Sequence, residues 1–225
     1  MGELWSYRLE DLILFSDRAW YGMLETYHRE QAPLQLVAKS AAALLFGIIV
    51  FAPAAAHRLV PALLAAGWAW TAWVFLHQHF APLHWFADWY AIAFGLQSFL
   101  MLQLACHDIR YDVSTGTRSL IAVVIIVTGM FGSPVFNLIE GRSLWHSELF
   151  GMTADATAMV TLGLSMLSNR SMRWYLMAIP LLWCAVSGAT AWILGLSWWW
   201  VLPLTACAAV VGGFCSREGD RAGHA

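Results

Sequence analysis

The sequence predicts an all-α polytopic membrane bundle, about seven transmembrane helices preceded by N-terminal amphipathic surface helices. Three observations predict it. Of 225 residues, 60% are apolar and only 12% charged, about half the roughly 25% charge of an ordinary soluble domain. The apolar residues gather into runs close to the roughly 20 residues a helix needs to cross the hydrocarbon layer. Those runs show no sustained alternation of period two, and a bilayer admits only helices or closed barrels. At most about eight crossings fit this length, so no room is left for an appended catalytic module. The net charge of −2, with 12 basic residues scattered through short loops, provides no stripe for phosphate contacts and excludes a nucleic-acid partner. The partner that the composition implies is the lipid bilayer.

Taken in order, Met1 to Arg8 lack the basic stretch and short apolar core of a cleaved signal, so the N-terminus is expected to be retained. Between residues 3 and 30, Arg8, Glu10, Asp11, Asp17, Arg18 and Glu25 alternate with Trp5, Leu9, Leu12, Phe15, Trp20, Leu24 and Tyr27. This near-helical spacing predicts one or two amphipathic helices on the membrane surface, with Ser16 as break and N-cap. Pro33 marks the turn into the first span. The chain thus divides into interfacial helices over 1–33, a transmembrane bundle over 34–216 and a polar cytoplasmic tail over 217–225. Within the bundle, spans are expected near 34–53, 60–79, 87–106, 118–138, 151–168, 174–195 and 198–215. The fifth is the weakest, because Asp155 sits near its start; a six-span arrangement with that segment re-entrant is the alternative.

Loop cations orient the bundle. Arg58, Arg110, Arg118, Arg170, Arg173, Arg217 and Arg221 fall on one side, against Arg142, Lys39 and Arg29 on the other. The expectation is an N-terminus outside and a C-terminus inside. Trp85, Trp89, Trp145, Trp198, Trp199 and Trp200 lie at the outer ends of spans, where indole rings settle at the headgroup level. The four cysteines lack a C-x-x-C pair and are read as small buried hydrophobes. Ala185 with Ala189 and Ala91 with Gly95 mark seams where helices can pack closely.

Ionisable groups beside spans are costly and mark sites. The outer side collects His77, His79, His84, Asp88, Glu140, Arg142, His146, Glu148 and Asp155. His77 and His79 diverge on a helix, and zinc needs three or four convergent ligands, so neither a metal nor a cofactor is expected. The densest constellation runs from Glu140 to Thr157: Arg142 offers a fork for an anion, with Glu148 and Asp155 as partners. Its plain structural reading is a clasp of Arg142 with these carboxylates closing a loop, Asp155 serving as a helix N-cap. Its functional reading is a ligand site of His77, Arg142, Glu148, Asp155 and Thr157.

Several stretches together resemble a family of bacterial multi-helix membrane proteins of unknown function, often loosely labelled permeases. They are Tyr7 to Leu12, Phe15 to Arg18 and Glu25 to His28; Trp68 to Trp70 through His77 and Phe80; and Gly141 to Glu148, Phe150, Gly151, Asp155, Thr157 and Thr161 to Gly163. The chain departs from the family pattern at Tyr27–His28 and Ala32–Pro33, and at Ala154 and Ala156, where the family often carries prolines. The resemblance implies a bacterial inner-membrane helix bundle and no established reaction. His77 and Asp88 also share the eleven-residue spacing of the seven-helix zinc hydrolases related to alkaline ceramidases. Trp73 stands where those enzymes place a serine, and the only later histidines are His146 and His224, so that zinc site cannot be assembled.

Three functions compete. The first is a small permease or membrane receptor with an outward-facing polar pocket for a small polar ligand. The second is an accessory or assembly subunit that docks on a membrane protein partner through its N-terminal helices. The third is a metal or haem enzyme using His77, His79, His84 and His107, which lacks the facing axial pair that haem requires.

Overall fold

The computed structural model describes residues 15–51, 53–106, 111, 116–168 and 170–222. Among them the chain is all helical, with eight α-helices, and its only β contact is an isolated bridge between Tyr111 and Ser168. The first of the two surface helices anticipated before Pro33 lies outside the described residues.

Helix α1 spans Asp17–Glu30, and Ser16 caps it as its sequence predicts, accepting a hydrogen bond from the Ala19 N–H at 3.3 Å. Its apolar face was expected to lie on lipid. Instead Trp20, Tyr21, Met23, Leu24 and Tyr27 are buried against the protein. The Tyr27 hydroxyl donates to the Met152 carbonyl at 2.8 Å and accepts from Trp70 Nε1 at 3.0 Å. A helix that finds an apolar protein surface and hydrogen-bond partners at the bundle end has no apolar stripe left for the membrane.

Seven further helices follow: α2 (Ala32–Phe51), α3 (Pro53–Trp70), α4 (Ala87–Ala105), α5 (Thr117–Ile139), α6 (Ala154–Leu167), α7 (Arg170–Ile193) and α8 (Val201–Ala222). They track the seven expected apolar runs. Helix α8 continues into the stretch read as a polar tail. A π-helical segment, Thr71–Phe80, extends α3 without a break and closes with the Ala81 N–H bonded back to the Leu76 carbonyl at 2.9 Å. By length and composition, four helical stretches among the described residues can cross a membrane: Ala32–Ile49, Ala55–Phe80, Thr117–Ile139 and Arg173–Ile193. Large apolar side chains face outward along the helices, among them Phe51, Ile92, Leu120, Phe131, Leu182 and Val211.

Helix α6 is the core of the bundle, buried along its whole length and packed most extensively on α5 and α7. Its threonine hydroxyls bond back along the helix: Thr157 donates to the Thr153 carbonyl at 2.7 Å and Thr161 to the Thr157 carbonyl at 2.8 Å. Close approach to α5 depends on Gly163, where a Cβ would stand 2.7 Å from the Ala122 carbonyl oxygen. The seams anticipated from small residues are elsewhere: Ala185 and Ala189 face outward, and a Cβ at Gly95 would meet open space. Outward-facing small residues cost nothing in an apolar solvent, so spacing alone does not identify a seam. Likewise Cys184 is buried, whereas Cys106 and Cys207 face outward.

Candidate functional site

Helix α1 and the loops 81–86, 140–153 and 194–200 meet at one end of the bundle, tied by Phe15 against His84, Tyr27 to Met152, and Trp198 Nε1 to the Tyr21 hydroxyl at 3.3 Å. Beneath this roof lies a cavity walled by α1, α5, α6, α8 and the 146–148 loop, with room for about two water molecules. Trp20, Tyr21, Phe136 and Trp198 supply aromatic walls, and Glu148 and Asp155 supply the acid.

Asp155 stands in the first turn of α6, where the free N–H groups of the helix favour negative charge. Its Oδ1 accepts two hydrogen bonds from α7, from Trp183 Nε1 and from the Ser187 hydroxyl, both at 2.7 Å. Its Oδ2 has no partner. Glu148 is positioned by its backbone, whose N–H donates to the Ser133 hydroxyl of α5 at 2.8 Å. Neighbouring Ser147 accepts from Asn137 Nδ2 at 3.1 Å. Both carboxyl oxygens of Glu148 are buried and make no hydrogen bond of regular geometry, with the Asp155 carboxyl, the Ala156 N–H and the Thr153 hydroxyl as their polar neighbours. The two residues are 4% and 3% exposed. Burial and then the neighbouring Asp155 carboxylate push Glu148 well above the usual carboxylate range, against weaker help from the Ala156 N–H and the Thr153 hydroxyl. Two adjacent buried carboxylates repel each other's charge, which favours a proton held by the pair on the Glu148 side, because Asp155 takes two donors.

The expected clasp of Arg142 with Glu148 and Asp155 does not form. Arg142 Nε pairs with Glu140 Oε2 at 2.7 Å, and its guanidinium lies 4.3 Å from the centre of the Tyr21 ring. Gly141, with φ of 66°, turns the chain so tightly that Glu140 meets Arg142 first. Glu140 also takes the Ser197 hydroxyl. The result is a neutralised rim above an acidic floor. His77 is remote from both: it pairs with Asp88 at 2.7 Å in a shallow outward groove, its ring against Trp73. His79 turns the other way, to Glu30 at 3.0 Å. Thr157 accepts from the Gly151 N–H at 2.9 Å and so shapes the loop without lining the cavity. Of the five anticipated site residues, the fold therefore brings together Glu148 and Asp155. Trp183, Ser187, Ser133 and Tyr21 were missed, since an isolated Ser or Trp in an apolar run carries no sign of its partner. Among the described residues, no group of three or more His, Cys, Asp and Glu is arranged to hold a metal ion.

Residues 17–221 match DUF6064, a family of unknown function. The chain belongs to this family. The match runs from the first residue of α1 to within one residue of the end of α8 and includes both acids of the cavity floor. No curated protein and no solved structure matches the chain.

Proposed function

We propose that this DUF6064 protein is an integral protein of the bacterial inner membrane, a small permease or receptor. It admits a small polar ligand from the outer side into the cavity above Glu148 and Asp155. The observation that carries this reading is a pair of buried acids lining one cavity, Asp155 at the head of the core helix and Glu148 in the loop before it, three of whose carboxyl oxygens make no hydrogen bond of regular geometry within the protein. Leaving such groups unpaired costs about 1–3 kcal/mol each, an expense that a purely structural core avoids by using apolar residues. The outward-facing apolar side chains and the four long apolar helices support a bilayer as the solvent around the bundle. The accessory-subunit reading places docking on the N-terminal helices over 3–30, of which α1 turns its apolar face into the bundle and residues 3–14 lie outside the described residues.

Melting curves of the purified protein in detergent test the site. Glu148→Gln is expected to melt at the wild-type temperature or above it at neutral pH, because sites held ready for a ligand are destabilising when empty. A loss of several degrees makes Glu148 structural and removes the ligand site. Cysteine accessibility at Gly2 and Ala225 is expected to place them on opposite sides of the membrane, and finding both on one side removes the seven-span arrangement.

A further inference from the structure

Granting that the cavity is a ligand site, we infer that its ligand is a small organic cation, an ammonium head of the size of methylammonium, held between the Glu148 and Asp155 carboxylates and the aromatic walls. Three observations converge on this class. The first is charge: both acids are buried, and three of their four carboxyl oxygens have no partner. An anion would be repelled by the floor, whereas a cation can take the place of the proton that two adjacent buried acids hold between them. The nearby guanidinium of Arg142 is already committed to Glu140 and the Tyr21 ring.

The second is the wall. Trp20, Tyr21, Phe136 and Trp198 face the cavity, and an alkylammonium gains from aromatic faces as well as from carboxylates. Hard inorganic cations instead demand a shell of oxygens. Here the Ser133 hydroxyl already accepts the Glu148 N–H and Asn137 is held by its Nδ2 on Ser147, so the lining is mostly aromatic and aliphatic beyond the two acids. The third is size: room for about two waters admits a head of one or two heavy atoms without moving α1.

Binding then exchanges charge for charge. The empty site keeps a proton on Glu148. When the ammonium enters, Glu148 gives up that proton to solvent and its carboxylate accepts an N–H hydrogen bond from the ligand, so one proton leaves for each cation bound. The titratable and charged groups facing this exchange are Asp155 from α6, Tyr21 from α1, and His146, Glu140 and Arg142 from the loop. The lining residues of α5 and α8 are uncharged, and α7 faces Asp155 with Trp183, Ser187 and the buried thiol of Cys184.

The test uses full-length protein in detergent at pH 7, comparing methylammonium chloride with sodium chloride and sodium acetate at equal ionic strength. Methylammonium is expected to raise the melting temperature by several degrees at saturation and to release about one proton per protein in weakly buffered solution. Glu148→Gln is expected to shift the concentration needed at least tenfold upward and to abolish the proton release. Equal stabilisation by sodium chloride, or a response to acetate alone, overturns the assignment of an organic cation. So does an unresponsive wild type whose Glu148→Gln variant is as stable as the parent, a result that leaves the pocket standing with a different ligand. A Glu148→Gln variant that loses several degrees overturns the pocket itself.

Discussion

At the C-terminal end of α6, the Arg173 guanidinium is 1% exposed, yet it donates to the Ser168 carbonyl at 3.0 Å and the Gly213 carbonyl at 3.2 Å. A cation there suits the negative end of the helix and ties α6 to α7 and α8. At the N-terminal end, about 20 Å away by helical rise, Asp155 holds two donors while the carboxyl oxygens of Glu148 beside it make no hydrogen bond of regular geometry. Both ends bury charge: the Arg173 guanidinium uses its two terminal nitrogens on backbone carbonyls of neighbouring helices, whereas the Glu148 carboxyl makes no such bond. The contrast separates charge used to lock helices together from charge kept available.

Variants at the two ends should therefore behave differently. The largest loss is expected for Arg173→Met, which strands two buried carbonyls at about 1–3 kcal/mol each and lowers the melting temperature by about 2–4 °C per kcal/mol. Wild-type stability at this end of the helix would show that the guanidinium locks nothing.

Sensitivity to pH is expected to reside at the N-terminal end, with two opposed limbs. His28 of α1 is buried with both ring nitrogens unpartnered, and burial lowers it from 6.5 to about 4. A histidine kept neutral in the fold costs stability as pH falls from 6.5 toward 4, by about 3 kcal/mol in all. Glu148 is raised, so its contribution is complete below the unfolded carboxyl value near 4.5 and is lost as pH climbs through its folded value. Glu148→Gln should leave only the acid limb and His28→Leu only the alkaline one, as read from melting temperature against pH. Identical profiles for both variants and the wild type would place the titration elsewhere.

Asp155→Ala is expected to cost about 1–3 kcal/mol, less than Arg173→Met. It strands the Trp183 N–H and the Ser187 hydroxyl but relieves the repulsion on Glu148. Arg142→Ala, at the half-exposed rim, should cost about 1 kcal/mol or less, the worth of a surface ion pair and one aromatic contact. If its loss equals that of Asp155→Ala, rim and floor are one structural unit.

Sequence carried the bundle far better than the site. Helices α2 and α5 lie within about two residues of the apolar runs that announce them, because Pro33, Gly116 and the Glu140–Gly141 turn bound those runs. Glu148 and Asp155 were legible as costly acids beside a span. The choice of partner was not: Arg142 was matched to acids six and thirteen residues ahead, while a glycine turn gave it Glu140 two residues behind. Asp155 is held by side chains 28 and 32 residues away, joined to it only by the packing of α6 on α7. Nor did periodicity reveal the π segment, since its apolar content reads like any other span.

The central claim, that the floor of the cavity stores a proton on Glu148 for lack of a cation, is most directly tested by infrared spectroscopy of the purified protein in amine-free buffer at pH 7. The wild-type minus Glu148→Gln difference spectrum is predicted to show the carbonyl band of a protonated carboxyl group. A difference spectrum carrying only the bands of an ionised carboxylate would contradict it.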